Sequence, residues 1–145
     1  MKASLSIRNI VTKHKFKELD YSSFLLVKKH LENVSVMDIT IKGTSMIPLF
    51  AEESQVVKVH KIDNRVSLKR FDVIIFWQDG ILLSHYFWGV NKHFNEDPND
   101  PYLITRPLNP IKGFDHPIKY EQVLGIIPVE LSLFLKLKIL FNILF

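Results

Sequence analysis

The sequence predicts a mainly β fold of the α+β class: a coiled antiparallel sheet or barrel, preceded by a helix and followed by an apolar element. Short alternating or continuous apolar runs begin at Val36, and Asp79-Gly80 is a strong two-residue hairpin signal. A helical apolar stripe precedes them. With 145 residues, 47% hydrophobic and 23% charged, the chain suits one domain with an ordinary core. This composition excludes a disordered scaffold.

The helix is predicted to begin after Asp20, a good N-cap residue, and to run to about Asn33. Its apolar residues are spaced by three, four and three positions, which makes one stripe along a helix. Residues 1–18 are polar, basic and weakly periodic, and they are interpreted as an arm or a loosely docked element. The stripe consists of Phe24, Val27, Leu31 and Val34.

Six strands are predicted after the helix. The third is apolar enough to be buried on both faces, and the hairpin turn connects it to the fourth. An acidic, proline-containing loop from Asn95 to Pro101 precedes the fifth. The predicted strands cover residues 37–41, 55–60, 72–77, 81–88, 102–105 and 122–127.

The C-terminal element, Leu131 to Phe145, is apolar except at four positions that fall within one arc of a helical wheel. As a helix it is about 22 Å long, too short for a bilayer core of about 30 Å. Packing on the core is favoured, and peripheral membrane contact through residues 131–145 stays open. The leucines of this element also alternate at a period of two residues, so a β-strand is kept as an alternative to the helix. The expected organisation is therefore 1–35 (basic arm and amphipathic helix), 36–128 (β domain) and 129–145 (apolar element).

Charge and cysteine content limit the classes of function. Without cysteine there is no disulfide, thiolate metal site or cysteine nucleophile. The net charge of +4 lies in residues 1–36, which hold seven basic and three acidic side chains; the remainder is balanced. The basic residues within 13–17 and 28–30 could bind nucleic acid or anionic lipid. A solvent-exposed helix face is the favoured interpretation, so no nucleic-acid partner is expected. With no signal peptide or clear spanning helix, a cytoplasmic location is expected, and membrane association stays open as an alternative.

Three residues are candidates for chemistry. Ser45 lies in the turn Gly43-Thr44-Ser45-Met46-Ile47-Pro48, where backbone amides of Gly43, Thr44 and Met46 are available for an oxyanion hole. His85, inside an apolar strand, suits a general base. Asp115 suits a carboxylate that orients this histidine. A plain turn, a rim histidine and a solvated turn aspartate are the structural alternatives.

A metal site is a weaker alternative. The spacing of the potential ligands fits no standard zinc or calcium loop, so no metal and no cofactor are expected. The potential ligands are His93, Asp97, Asp100, Asp115 and His116.

In order, these segments resemble the superfamily of type I signal peptidases and LexA-like serine peptidases. Residues 41–48 are similar to its G-x-S-M-x-P nucleophile box, and residues 55–59 to the following strand. Residues 69–76 resemble "R-G-D-I-V-x-F", and residues 82–86 resemble "V-L-x-H-R". Residues 102–106 and 115–127 resemble the last block of the family, so the resemblance spans roughly Val36 to Ile127.

The resemblance implies a serine endopeptidase with Ser45 as nucleophile, His85 as general base, Asp115 matching a later acidic residue, and an extended peptide or protein substrate. It also implies a preference for small residues near the scissile bond. The sequence departs from the pattern at Phe71-Asp72, at Tyr86 and at Pro107-Leu108-Asn109. These departures motivate the alternative of a non-catalytic peptide-binding module. A self-cleaving repressor is disfavoured, because Ala-Gly and Cys-Gly dipeptides are absent.

Overall fold

A computed structural model describes residues 19–43, 45–50, 54–64, 67–91 and 97–145 of the chain. Within these ranges one helix precedes six antiparallel strands along the chain and a second helix follows them, so the predicted α+β, mainly β class is confirmed. In chain order the elements are α1 (Tyr21–Val34), β1 (Val36–Lys42), β2 (Ser54–His60), β3 (Val73–Gln78), β4 (Ile81–Asn91), β5 (Tyr102–Arg106), a 3-10 turn (Tyr120–Gln122), β6 (Val123–Ile127) and α2 (Leu133–Leu144).

The six strands form one sheet in the order β1-β2-β6-β3-β4-β5. The last strand of the chain therefore lies in the middle of the sheet, where it pairs with both β2 and β3. The β3–β4 hairpin closes at Asp79-Gly80, and both of these turn residues have positive φ, as the sequence predicts for such a turn. The paired register places His85 opposite Ile74.

Apolar side chains lie on both faces of the central strands. Val73 and Ile75 join the main core with residues of both helices, whereas Ile74 and Phe76 join a second cluster on the opposite face. This alternation follows from the two-residue period of a strand. All four side chains are buried, as the continuous apolar run of β3 predicts.

Gly125 in β6 lies at a close approach between two neighbouring strands. A Cβ added at this position would lie 2.6 Å from the carbonyl oxygen of His60 and 2.7 Å from Val59 Cγ1. The single register pair between β2 and β6, His60 with Ile126, lies directly beside it. A glycine is therefore needed for β2 and β6 to join one sheet.

Both helices follow sequence signals. Asp20 caps α1 by accepting a hydrogen bond from the Ser23 amide, and Phe24, Val27 and Leu31 are its buried residues. The C-terminal element is a helix, capped by Ser132, so the alternative of a strand is wrong. Leu131 and Ile139 of this element are buried in the main core. In the described part of the chain, no helix has the length and apolarity required to cross a membrane.

Candidate functional site

Ser45 lies in the turn that follows β1. Gly43 has φ +102°, a left-handed conformation that favours glycine, and it lets the chain turn sharply out of the strand. The carbonyl of Ser45 accepts hydrogen bonds from the amides of Leu108 and Asn109, at 2.8 and 2.9 Å. Because the loop after β5 is hydrogen-bonded to the Ser45 backbone, the position of the hydroxyl is defined by long-range contacts as well as by the turn.

His85 presents its ring to this hydroxyl from β4. The distance from His85 Nε2 to Ser45 Oγ is 3.0 Å. The side chain is only 7% exposed, and its ring packs edge-on against Phe76. The strand and the aromatic contact hold the imidazole in place while Nε2 faces the serine.

Asp115 contacts the other ring nitrogen of the histidine. Its Oδ2 lies 2.6 Å from His85 Nδ1, and the same oxygen accepts a 2.6 Å hydrogen bond from Thr105 Oγ1. The amide of Asp115 also donates to the carbonyl of Thr105, at 3.2 Å. Strand β5 thus anchors the loop that carries the carboxylate.

These contacts define the protonation pattern of the imidazole. An ionised carboxylate only accepts hydrogen bonds, so Asp115 requires the ring proton to be on Nδ1. In a neutral imidazole Nε2 is then an acceptor, and the Ser45 hydroxyl is the donor of the 3.0 Å contact. The arrangement is therefore chemically able to remove a proton from Ser45, and the carboxylate stabilises the imidazolium that results.

Tyr86, next to the histidine, points to the opposite face of β4 and into the main core. Burial raises the pKa of its phenol to about 12, and the nearby Arg106 opposes this rise in part. Its hydroxyl has no hydrogen-bond partner among the described residues. Tyr86 therefore contributes mainly packing, including a ring contact with Phe71.

A cleft of about 200 Å³ adjoins Ser45. One wall is β1, from Ile39 to Ile41, and the opposite wall is the start of β4, from Ile81 to Ser84. Within the described residues, β1 pairs only with β2, and residues 81–84 pair only with β3. Each wall therefore offers a strand edge on which an extended chain can form backbone hydrogen bonds.

Apolar side chains make up most of the lining of the cleft, and there is free space beside Gly43, near the serine. Met46 and Phe50 line it, and nothing lies within 4 Å of a Cβ built on Gly43. Ser84 also lines it, with a buried hydroxyl that has no partner among the described residues. The cleft is smaller than the roughly 300–1,000 Å³ of small-molecule pockets, which suits short side chains of an extended ligand.

The structure brings the three principal candidates from the sequence together. Ser45, His85 and Asp115 form one hydrogen-bonded series, and Gly43 and Met46 border the adjacent cleft. Thr44 lies outside the described residues. Thr105 was not a candidate, because its contact with Asp115 depends on the pairing of β5 and on the path of the following loop.

The weaker metal candidates are not assembled into a site in the part of the chain that the structure describes, where no three potential ligands cluster. Asp100 instead lies near Lys119, with 3.8 Å between the carboxylate and Nζ. Asp115 is bound by His85 and Thr105. His93 lies outside the described residues.

Comparison of the chain with protein-family models, with curated proteins and with solved structures gives no match.

Proposed function

We propose that this protein is a serine endopeptidase that cleaves an extended peptide with Ser45 as nucleophile and His85 as general base. The observation that carries the proposal is the series Ser45 Oγ, His85 Nε2, His85 Nδ1 and Asp115 Oδ2, with contacts of 3.0 and 2.6 Å. An activated serine nucleophile requires a base within hydrogen-bond reach and a third group that orients the base. Here three separate parts of the fold supply the nucleophile, the base and the orienting group: the turn after β1, strand β4 and the loop after β5.

The reaction follows from the direction of the hydrogen bonds. His85 Nε2 takes the proton of Ser45 as Oγ bonds to the peptide carbonyl carbon, and the carbonyl oxygen becomes an oxyanion. Collapse of this intermediate breaks the C–N bond, and the imidazolium gives its proton to the leaving amine. Water then attacks the acyl-enzyme with His85 as base again, which releases the new carboxylate and restores the serine.

The substrate is proposed to lie along the cleft between β1 and residues 81–84, where two strand edges are open. Backbone hydrogen bonds with these edges would hold any extended sequence, so side-chain selectivity depends on the cleft. Its apolar lining and small volume favour small residues near the scissile bond.

The resemblance of residues 36–127 to signal peptidases and LexA-like peptidases supports the same proposal. In that superfamily the serine follows a strand, and the base lies on a later strand of a coiled antiparallel sheet. The corresponding residues here are Ser45, after β1, and His85, within β4. We propose that the fold is of this type.

The alternative of a non-catalytic peptide-binding module predicts a different geometry at the same cleft. If the chemistry had been lost, His85 is expected to point away from Ser45, with about 8 Å between them, beyond hydrogen-bond reach. The observed separation of 3.0 Å supports the peptidase. The segment Pro107-Leu108-Asn109, where the sequence departs from the family pattern, still supports the site, because the amides of Leu108 and Asn109 donate hydrogen bonds to the Ser45 carbonyl.

Covalent labelling tests the proposal directly. The full-length protein is incubated with a fluorophosphonate, which reacts with activated serines, and the modified residue is mapped by peptide mass spectrometry. We expect one adduct, on Ser45, because only this hydroxyl among the described serines contacts a histidine ring nitrogen. Ser84, in the same cleft but without a base, should remain unmodified. Absence of labelling at Ser45 would contradict the proposal.

Thr105 is expected to assist through Asp115. The change Thr105→Val keeps the side-chain shape but removes one of two donors to Oδ2, so the carboxylate orients His85 less well. We expect labelling of Ser45 to slow about tenfold, or ~1.4 kcal/mol in activation free energy. Thr105→Ser retains the hydroxyl and should restore most of the rate. Equal rates for Thr105→Val and the wild-type protein would show that this hydroxyl has no positioning role.

A further inference from the structure

The C-terminal helix α2 exposes its more apolar face. Leu133, Phe134, Leu137, Phe141 and Leu144 are between 56% and 72% exposed, and the terminal Phe145 is 88% exposed. Helices on the surface of globular domains normally turn polar side chains outward. Here the polar Asn142 and Lys136 are half-buried, and the outer face is almost entirely hydrocarbon.

The outer face forms one continuous patch. At ~100° per residue, its apolar positions fall on one side of the helix. The rings of Phe141 and Phe145 are in contact, with centroids 5.4 Å apart. The opposite side is anchored by Ile139, which is fully buried, so the helix has a defined orientation on the domain. Large exposed apolar patches of this kind mark interaction surfaces.

Basic side chains border this patch. Lys138 is exposed at one margin, and Lys136 lies on the other side with Nζ 5.7 Å from the Phe71 ring. The two residues before Phe71 in the chain, Lys69 and Arg70, are exposed and basic. The Arg70 guanidinium lies over the Trp88 ring at 4.2 Å. The acidic residue nearest to the helix in sequence is Glu130, before its N-cap.

We propose that α2 is a docking surface for a membrane that contains anionic lipids, and that it lies in the plane of the interface. An apolar face flanked by lysines is the pattern of interfacial helices, in which hydrocarbon enters the acyl boundary and cations meet headgroup phosphates. Twelve residues span about 18 Å, which suits this parallel orientation. The proposal is independent of the peptidase chemistry.

Charge disfavours a second copy of the chain as the occupant. Lys138 is close to the midpoint of α2, so an antiparallel pair of these helices about a two-fold axis would bring Lys138 against the same residue of the other copy. A lipid surface accommodates the same lysine favourably.

Vesicle binding tests the proposal. The full chain is sedimented with vesicles of phosphatidylcholine alone or with 30% phosphatidylglycerol (about a third anionic lipid), and the bound fraction is measured. We expect binding to the anionic vesicles that weakens with salt. The triple variant Phe134→Ser, Leu137→Ser, Phe141→Ser should lose at least about tenfold in affinity, and Lys138→Glu should weaken anionic binding alone.

The matched control is Leu26→Ser, which removes a 68% exposed leucine from α1. It should bind vesicles as the wild-type protein does. All variants keep the basic residues of positions 1–36, so undiminished binding by the triple variant would assign the interaction elsewhere and overturn the proposal. Concentration-dependent dimerisation without vesicle binding, abolished in the triple variant, would also overturn it, in favour of self-association. Near-ultraviolet circular dichroism establishes that each variant is folded.

Discussion

His85→Ala is expected to slow fluorophosphonate labelling of Ser45 by roughly 10³-fold or more, and Ser45→Ala to abolish it. Without the imidazole, no described residue hydrogen-bonded to Ser45 Oγ can accept its proton, so the hydroxyl is expected to react as an ordinary alcohol. Peptide hydrolysis by the same variants should fall in parallel. The rate of adduct formation, followed by intact mass, measures the first effect without requiring knowledge of the natural substrate.

Two variants serve as controls for these changes. His116→Ala removes an exposed histidine one residue after Asp115, and Ser84→Ala removes the other serine of the cleft. Both should label at rates within a few-fold of the wild-type rate, because neither side chain contacts the Ser45 hydroxyl. If His85→Ala labels as fast as His116→Ala, then His85 is not the base.

The surroundings of four glycines are described, and each could be changed to alanine. Of these four substitutions, Gly125→Ala is expected to cause the largest loss of stability. The new Cβ would meet a carbonyl oxygen at 2.6 Å, and backbone cannot move aside as a flexible side chain does. Strand β2 would have to separate from β6 at their one register pair. We expect the free energy of unfolding to fall by about 3 kcal/mol or more, measured by urea denaturation.

Gly89→Ala is the matched control, also in a strand. Its added Cβ would lie 3.7 Å from the end of the Arg70 side chain, an ordinary contact, so the expected change is below about 1 kcal/mol. A Gly125→Ala protein with the denaturation midpoint of Gly89→Ala would show that β2 and β6 tolerate a wider separation. A Gly125→Ala protein without a cooperative transition agrees with the expectation.

The local pattern of the sequence predicts the elements of this fold closely. Alternation, the Asp79-Gly80 turn and the Asp20 cap place each strand and the first helix near their observed positions, because these signals act over a few residues. The largest difference is β4, which continues to Asn91 through an irregular pairing with β5 near Gly89. A bulge of this kind depends on the partner strand and leaves little trace in the sequence of either strand.

The order of the strands in the sheet, and the contacts that position the candidate catalytic residues, could not be predicted from local sequence patterns. Insertion of β6 between β2 and β3 depends on the close approach at Gly125, more than 60 residues from its contact at His60. The role of Thr105 depends on the same kind of long-range register. For α2, the sequence places four polar positions within one arc and leaves a broad apolar face, yet the side that the domain buries is the one that carries Ile139, within the polar arc.

One loop, from Asn109 to Asp115, connects two parts of the site. At its start, the amide of Asn109 donates a hydrogen bond to the Ser45 carbonyl. At its end, the carboxylate of Asp115 is hydrogen-bonded to His85 Nδ1. Any insertion or deletion between these points would displace nucleophile and base together, so the length of this loop is constrained while its tip is not. Phe114, 74% exposed, and Lys112 project from that tip into solvent. Substitutions there are expected to leave the distances between Ser45, His85 and Asp115 intact.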